Sequence, residues 1–127
     1  MLTQDPYAFK ALFKPEDPVG SEKALQALML SAKATGEGTL VAQILAYVAH
    51  AQALQGRWEE AHDALNDADF ILLEQKPHGA HARALLERGR VFHMCGLGNS
   101  GKKFVELARS KAEEVGARDV LADLETL

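Results

Sequence analysis

The sequence predicts an all-α fold, and three observations carry that prediction. Alanine, leucine, glutamate and lysine dominate, and β-branched clusters are few, a composition that favours helix over strand. Apolar residues recur at spacings of three and four, the period of an amphipathic helix. Glycine and proline then divide the chain into segments of roughly 14 to 20 residues, the length of ordinary globular helices.

The elements follow in order. Tyr7 to Phe13 suggests a short helical turn. Asp17-Pro18 reads as an N-cap followed by proline at the first helical position, where the missing N–H costs nothing. The helix that follows carries Leu25, Leu28, Met29 and Ala32 and stops near Gly36 and Gly38. A second opens around Thr39, with Val41, Leu45, Val48 and Ala49 on one face, and ends at Gly56. A third holds Trp58, Ala61, Leu65, Ala68 and Leu72 and runs out before Pro77. The fourth, from about Gly79, carries Leu85, Leu86, Gly89 and Phe92 and stops near Gly96. The fifth runs through Phe104, Val105, Leu107, Ala108 and Ala112 to Gly116, and a short last helix holds Val120, Leu121 and Leu124. Several of these are apolar over more than one narrow stripe, as expected of helices sandwiched between two neighbours.

The length of 127 residues suits one domain. Hydrophobic residues make up 47% and charged residues 25%, so the chain can bury a core without disulfides or metals. Net charge is −4, with 14 basic and 18 acidic residues scattered along the chain. No basic block is present to neutralise a phosphate backbone, which argues against nucleic acid as a partner. The N-terminal "MLTQDPYAFK" has neither a basic nor an apolar run, so no signal peptide is expected. No apolar stretch approaches the ~20 residues that span a bilayer. No membrane partner and a cytoplasmic location are expected. Cys95 is the only cysteine, which excludes an intrachain disulfide and suits a reducing compartment.

The chain also repeats. Residues 49–68, "AHAQALQGRWEEAHDALNDA", align without a gap on residues 89–108, "GRVFHMCGLGNSGKKFVELA". Ala49 meets Gly89, Gly56 meets Gly96, Ala61 meets Gly101, Leu65 meets Val105 and Ala68 meets Ala108, at a constant offset of 40 residues. Small residues recur where helix axes would cross closely, and glycine recurs at the turn, the pattern of one helical hairpin used twice.

On these residues the chain resembles the tetratricopeptide repeats, whose motif of about 34 residues has a small residue in helix A, a turn glycine seven residues later, and alanines in helix B. Ala49, Gly56, Trp58, "EEA" at 59–61 and Ala68 match well. The second copy departs, with Gly98 where an aromatic is wanted, Gly101 for alanine and Arg88 for an apolar residue. The wider spacing implies about six extra residues around Gln75 to Gly79. The resemblance covers roughly residues 39 to 116 and implies antiparallel hairpins stacked as a short right-handed α-solenoid. Residues 18–35 would be the orphan helix of a degraded repeat, 39–75 and 79–116 two repeats, and 117–127 a capping helix.

The resemblance further implies a non-enzymatic module that binds a peptide or protein on the concave face formed by the A helices. By position, that face would present Gln43, Ala46, His50, Ala53 and Leu54 from one repeat and Arg83, Leu86, Arg90, His93 and Met94 from the other. The second set is basic with an apolar rim, which suits an acidic and hydrophobic segment held by Arg83 and Arg90. Alternatively, Arg83 pairs with Glu87 one turn on. Ala46 and His50 stand where chaperone-tail-binding members carry lysine and asparagine, so such tails are not the expected ligand. The apolar face of the last helix either folds back on the fifth helix or packs on a second copy, giving a possible homodimer.

Other chemistry is weakly signalled. "CGLGNSGKKF" (95–104) spells both G-x-G-x-x-G and the G-x-x-x-x-G-K of a phosphate loop. However, Lys103 stands where a Mg²⁺-binding hydroxyl belongs, and the preceding "LLERGRVFHM" reads as helix rather than strand. The repeat explains the glycines instead: Gly96 ends helix A, Gly98 with Asn99 and Ser100 forms a loose loop and cap, and Gly101 lies at a helix crossing. Binding of a nucleotide or another small molecule, as a sensor would use, is the alternative function. His50, His62, His78, His81 and His93 lack the companion carboxylates or thiols of a metal site. Glu59/Glu60 and Glu113/Glu114 read as solvated faces, and Cys95 has no base placed to activate it. No catalytic residue, metal or cofactor is expected.

Overall fold

The structure is a computed structural model that describes residues 5–127. Met1 to Gln4, which open the stretch read for a signal peptide, lie outside the described residues. The described residues form helices joined by turns, with no strand. A 3-10 helix, Pro6–Leu12, is followed by α1 (Pro18–Ala34), α2 (Gly38–Leu54), α3 (Trp58–Leu72), α4 (Gly79–Met94), α5 (Gly98–Val115) and α6 (Arg118–Glu125). The α-helices therefore begin almost every 20 residues, a finer period than the 40-residue repeat of the sequence.

Local chemistry sets the boundaries. Asp17 caps α1 by accepting from the Gly20 N–H at 3.0 Å, with Pro18 in the first turn. His78 caps α4: its Nδ1 accepts from the Ala80 N–H at 3.0 Å, while His81 Nδ1 accepts from the His78 N–H at 3.2 Å. These two histidines thus serve as a reciprocal cap.

Gly56 and Gly96 end α2 and α4 at φ of 74° and 91°, in the left-handed region where a Cβ is strained. The chain then closes each turn in the same way. The Arg57 N–H donates to the Gln52 carbonyl at 3.0 Å, and the Leu97 N–H to the Phe92 carbonyl at 2.8 Å, the long bond of a Schellman turn. That bond corrects one expectation. The turn is complete at Leu97, so Gly98, Asn99 and Ser100 are the first turn of α5 rather than a loop, and no side chain caps the helix.

Packing follows sequence order. α2 lies against α1, α3 and α4, and α4 against α2, α3, α5 and α6, whereas the backbones of α1 and α3 do not approach each other closely. One apolar cluster, including Leu25, Leu28, Ile44, Leu65 and Val91, joins α1 to α4. A second sets Leu86 against Ala108, Ala112, Val120 and Leu124. Val120 and Leu124 of α6 are therefore covered within the chain, while Leu127 stays exposed.

The two hairpins differ at their crossings. Ala49 and Ala61 are both fully buried in the α2–α3 pair. In α4–α5 their counterparts are glycines, and a Cβ on Gly101 would stand 2.7 Å from the Gly89 carbonyl oxygen. Only glycine permits that approach. Arg88, the charged departure from the repeat, ties α4 to α3 through Asn66 at 2.9 Å and Asp69 at 3.0 Å. No helix among the described residues is long and apolar enough to cross a membrane.

Candidate functional site

A concavity of about 640 Å³ opens between α2, α4 and α5. His50 comes from α2, Arg90, His93 and Met94 from α4, and Lys102 and Val105 from α5, with Leu127 at one edge. Gly89, Gly98 and Gly101 complete the wall. These three glycines stand where the first repeat has Ala49, Trp58 and Ala61. The hollow thus coincides with the positions at which the second repeat departs from the first. Trp58 is half-buried, whereas its counterpart Gly98 is exposed.

Beside the cavity lies a buried ionic cluster. Glu87 has no exposed surface, and its Oε2 accepts from Arg90 at 2.8 Å and Arg83 at 3.3 Å. Its Oε1 lies 3.2 Å from His50 Nδ1 but is buried without a hydrogen-bond partner. The same His50 Nδ1 lies 3.4 Å from the Arg90 guanidinium, which can only donate to it. Burial pushes the His50 pKa below its ordinary value, and Arg90 and Arg83 reinforce that against the attraction of Glu87. Arg83 is 2% exposed, reaches Asp123 at 2.7 Å and Asp119 at 3.2 Å on α6, and sits 5.2 Å from the Tyr47 ring centre. Burial would raise the Asp119 pKa, but hydrogen bonds and charge from Lys10 and Arg83 outweigh it and hold it low.

The N-terminal segment covers the rest of the α2 face. Phe13 lies 5.4 Å from the Tyr47 ring and 4.6 Å from His50, Phe9 lies 5.5 Å from Tyr47, and Lys10 pairs with Asp119 at 3.0 Å. Part of the surface expected to meet a partner is thus occupied by the chain itself.

The structure divides the expected binding residues. His50, Arg90, His93 and Met94 line the cavity together. Ala46, Ala53, Leu86 and Arg83 are buried within the chain and offer no surface, which corrects their assignment: α6 and the N-terminal segment pack over this face. Gln43 lies in a different cleft, beside Lys10 and Gly79. Leu54 is partly exposed and is not among the residues lining the cavity. The groove reading omitted Lys102, Val105 and the glycines. Their signal was the failed phosphate-loop match, which had marked a change in side-chain size.

The cavity wall is mostly apolar, and its ionisable side chains are Arg90, Lys102, His50 and His93. Among the described residues Lys102 makes no ion pair, while Arg90 is committed to Glu87. Cys95 is half-buried at the end of α4, its thiol donating to the Phe92 carbonyl at 3.4 Å. Among the described residues no three His, Cys, Asp or Glu side chains converge as a metal site requires. Comparison with protein-family models, curated proteins and solved structures finds no match for this chain.

Proposed function

We propose that the chain is a short tetratricopeptide-like right-handed α-solenoid and a non-enzymatic interaction module of the cytoplasm. Its cavity between α2, α4 and α5 takes an acidic, apolar segment of a protein partner. What supports the solenoid reading is the pair of hairpins at a 40-residue offset, packed through α2 and α4. The single observation that carries the function is an apolar hollow whose ionisable side chains are all basic. Apolar area supplies affinity there, and the free Lys102 ammonium selects a carboxylate.

Fluorescence polarisation with a labelled peptide alternating glutamate and leucine tests this reading. Lys102→Glu, at an exposed position, should weaken binding by roughly tenfold or more, a change of about 1.4 kcal/mol. Equal binding by both proteins would sink it. A second reading, a small carboxylate-bearing ligand, is favoured by the volume, which falls inside the ~300–1,000 Å³ of small-molecule sites. Isolated fatty acids competing with the peptide at equal affinity would select it.

A further inference from the structure

His50 stands between the cavity and the buried carboxylate of Glu87. Its ring belongs to the cavity wall, while its Nδ1 lies 3.2 Å from Glu87 Oε1 and 3.4 Å from the Arg90 guanidinium. These two neighbours make opposite demands on one nitrogen. The guanidinium can only donate, and an ionised carboxylate can only accept. Without a proton, Nδ1 accepts from Arg90 and leaves the buried Glu87 Oε1 with no donor, a state that costs free energy. With a proton, Nδ1 donates to Glu87 Oε1, and Arg90 keeps its 2.8 Å bond to Glu87 Oε2. One guanidinium N–H is then released at the cavity wall, which Arg90 shares.

Proton uptake is set by what surrounds the ring. Glu87 of α4 and Asp123 of α6 favour the cation, whereas burial, Arg90 and Arg83 oppose it, burial most of all. The Phe13 ring packs 4.6 Å from the imidazole, and Tyr47 lies about one turn earlier on the same helix. His93 of α4 and Lys102 of α5 share the cavity wall and bring no negative charge to it. Opposition to the cation thus comes from desolvation and from basic groups. A carboxylate in the cavity counters it, because a negative charge near the ring favours the protonated form. The doubly protonated imidazole serves Glu87 through Nδ1 and keeps a second N–H, on Nε2, for a further acceptor. Linkage requires the reciprocal effect: an anion that favours the proton is itself favoured by the proton, by the same factor.

We propose, on the reading of this cavity as a site for an acidic segment, that His50 takes up a proton as the segment's carboxylate binds, so that the site tightens as pH falls. The glutamate–leucine peptide stays ionised down to about pH 5.5, because free glutamate side chains titrate near ~4.3. Fluorescence polarisation with the full chain should show a Kd about fivefold lower at about pH 5.5 than at about pH 7.5, with circular dichroism checking that the chain is folded at both. Most of that ratio should vanish in His50→Gln and survive in His93→Gln, and a glutamine–leucine peptide should show none of it. By reciprocity, the His50 imidazole resonance of the unsubstituted chain should titrate at a pH about 0.7 higher with saturating peptide, the logarithm of the same factor. Absence of binding at every pH overturns the acidic-segment reading and the coupling together. Binding with equal Kd at both pH values, or an unmoved His50 titration, leaves that reading standing and overturns the coupling. A pH response lost in His93→Gln and kept in His50→Gln overturns the assignment to His50.

Discussion

Gly101→Ala tests the packing of the second hairpin. The added methyl would stand 2.7 Å from the Gly89 carbonyl oxygen and 3.1 Å from the His93 backbone nitrogen. Carbon–oxygen contacts ordinarily settle at ~3.3 Å or beyond, so α4 and α5 would have to part by about 0.6 Å. Neither neighbour is a flexible side chain that could turn away. Alanine gains up to ~1 kcal/mol in helix propensity over glycine, against ~1–3 kcal/mol for overpacking a tight contact. Overpacking wins because the obstruction is backbone, giving a net loss of about 1–2 kcal/mol, or roughly 4 °C in Tm for each kcal/mol at this size. Urea denaturation followed at 222 nm reads the change. Gly98→Ala is the control: its nearest neighbour is His93 Nδ1 at 3.6 Å, so it should be neutral or raise stability by about 0.5 kcal/mol. A Gly101→Ala protein as stable as wild type would refute the close-approach argument.

Three further outcomes are expected. Arg83→Leu should cost about 3 kcal/mol, because it removes one cation from the fully buried Glu87; chemical denaturation measures it, and adding Glu87→Leu should recover part of the loss. Gly96→Ala should cost about 1 kcal/mol, since alanine must adopt a left-handed conformation at φ of 91°, and its Tm should fall by a few degrees. Stability should also fall with pH. His50 has a folded pKa below its ordinary 6.5, so the unfolded chain binds more protons and stability present above that value is lost as pH drops. Asp119 acts in the same direction at lower pH. Tm should fall between about pH 7.5 and pH 5.5, and less steeply in His50→Gln. The charged groups facing His50 are Glu87, Arg90 and Arg83 from α4 and Asp123 from α6, and an unchanged slope in the variant would refute the assignment of the loss to His50.

Helix positions were legible because their signals are local. Asp17-Pro18 and Gly56 act through adjacent backbone, and sequence spacing alone shows the repeat. Arg83 was half legible. Pairing with Glu87 could be read from a four-residue spacing, but Asp119 and Asp123 meet it only because α6 folds back across α4. The same long-range packing buried Ala46 and Leu86, which spacing alone placed on an open face. Gly98 was misread because sequence shows a flexible residue, whereas the bond from the Leu97 N–H to the Phe92 carbonyl decides where the next helix starts. The cavity left a trace only in the failed phosphate-loop match, because it is defined by side chains missing from three positions on two helices.

The central claim is that the hollow walled by Gly89, Gly98 and Gly101 receives an acidic, apolar segment. Nitrogen-15 chemical-shift mapping during titration with the glutamate–leucine peptide tests it most directly. Shifts concentrated at the amides of Met94, Gly98, Gly101, Lys102 and Val105 are the predicted result. Shifts confined to α1 and α3, or none at saturating peptide, would contradict it.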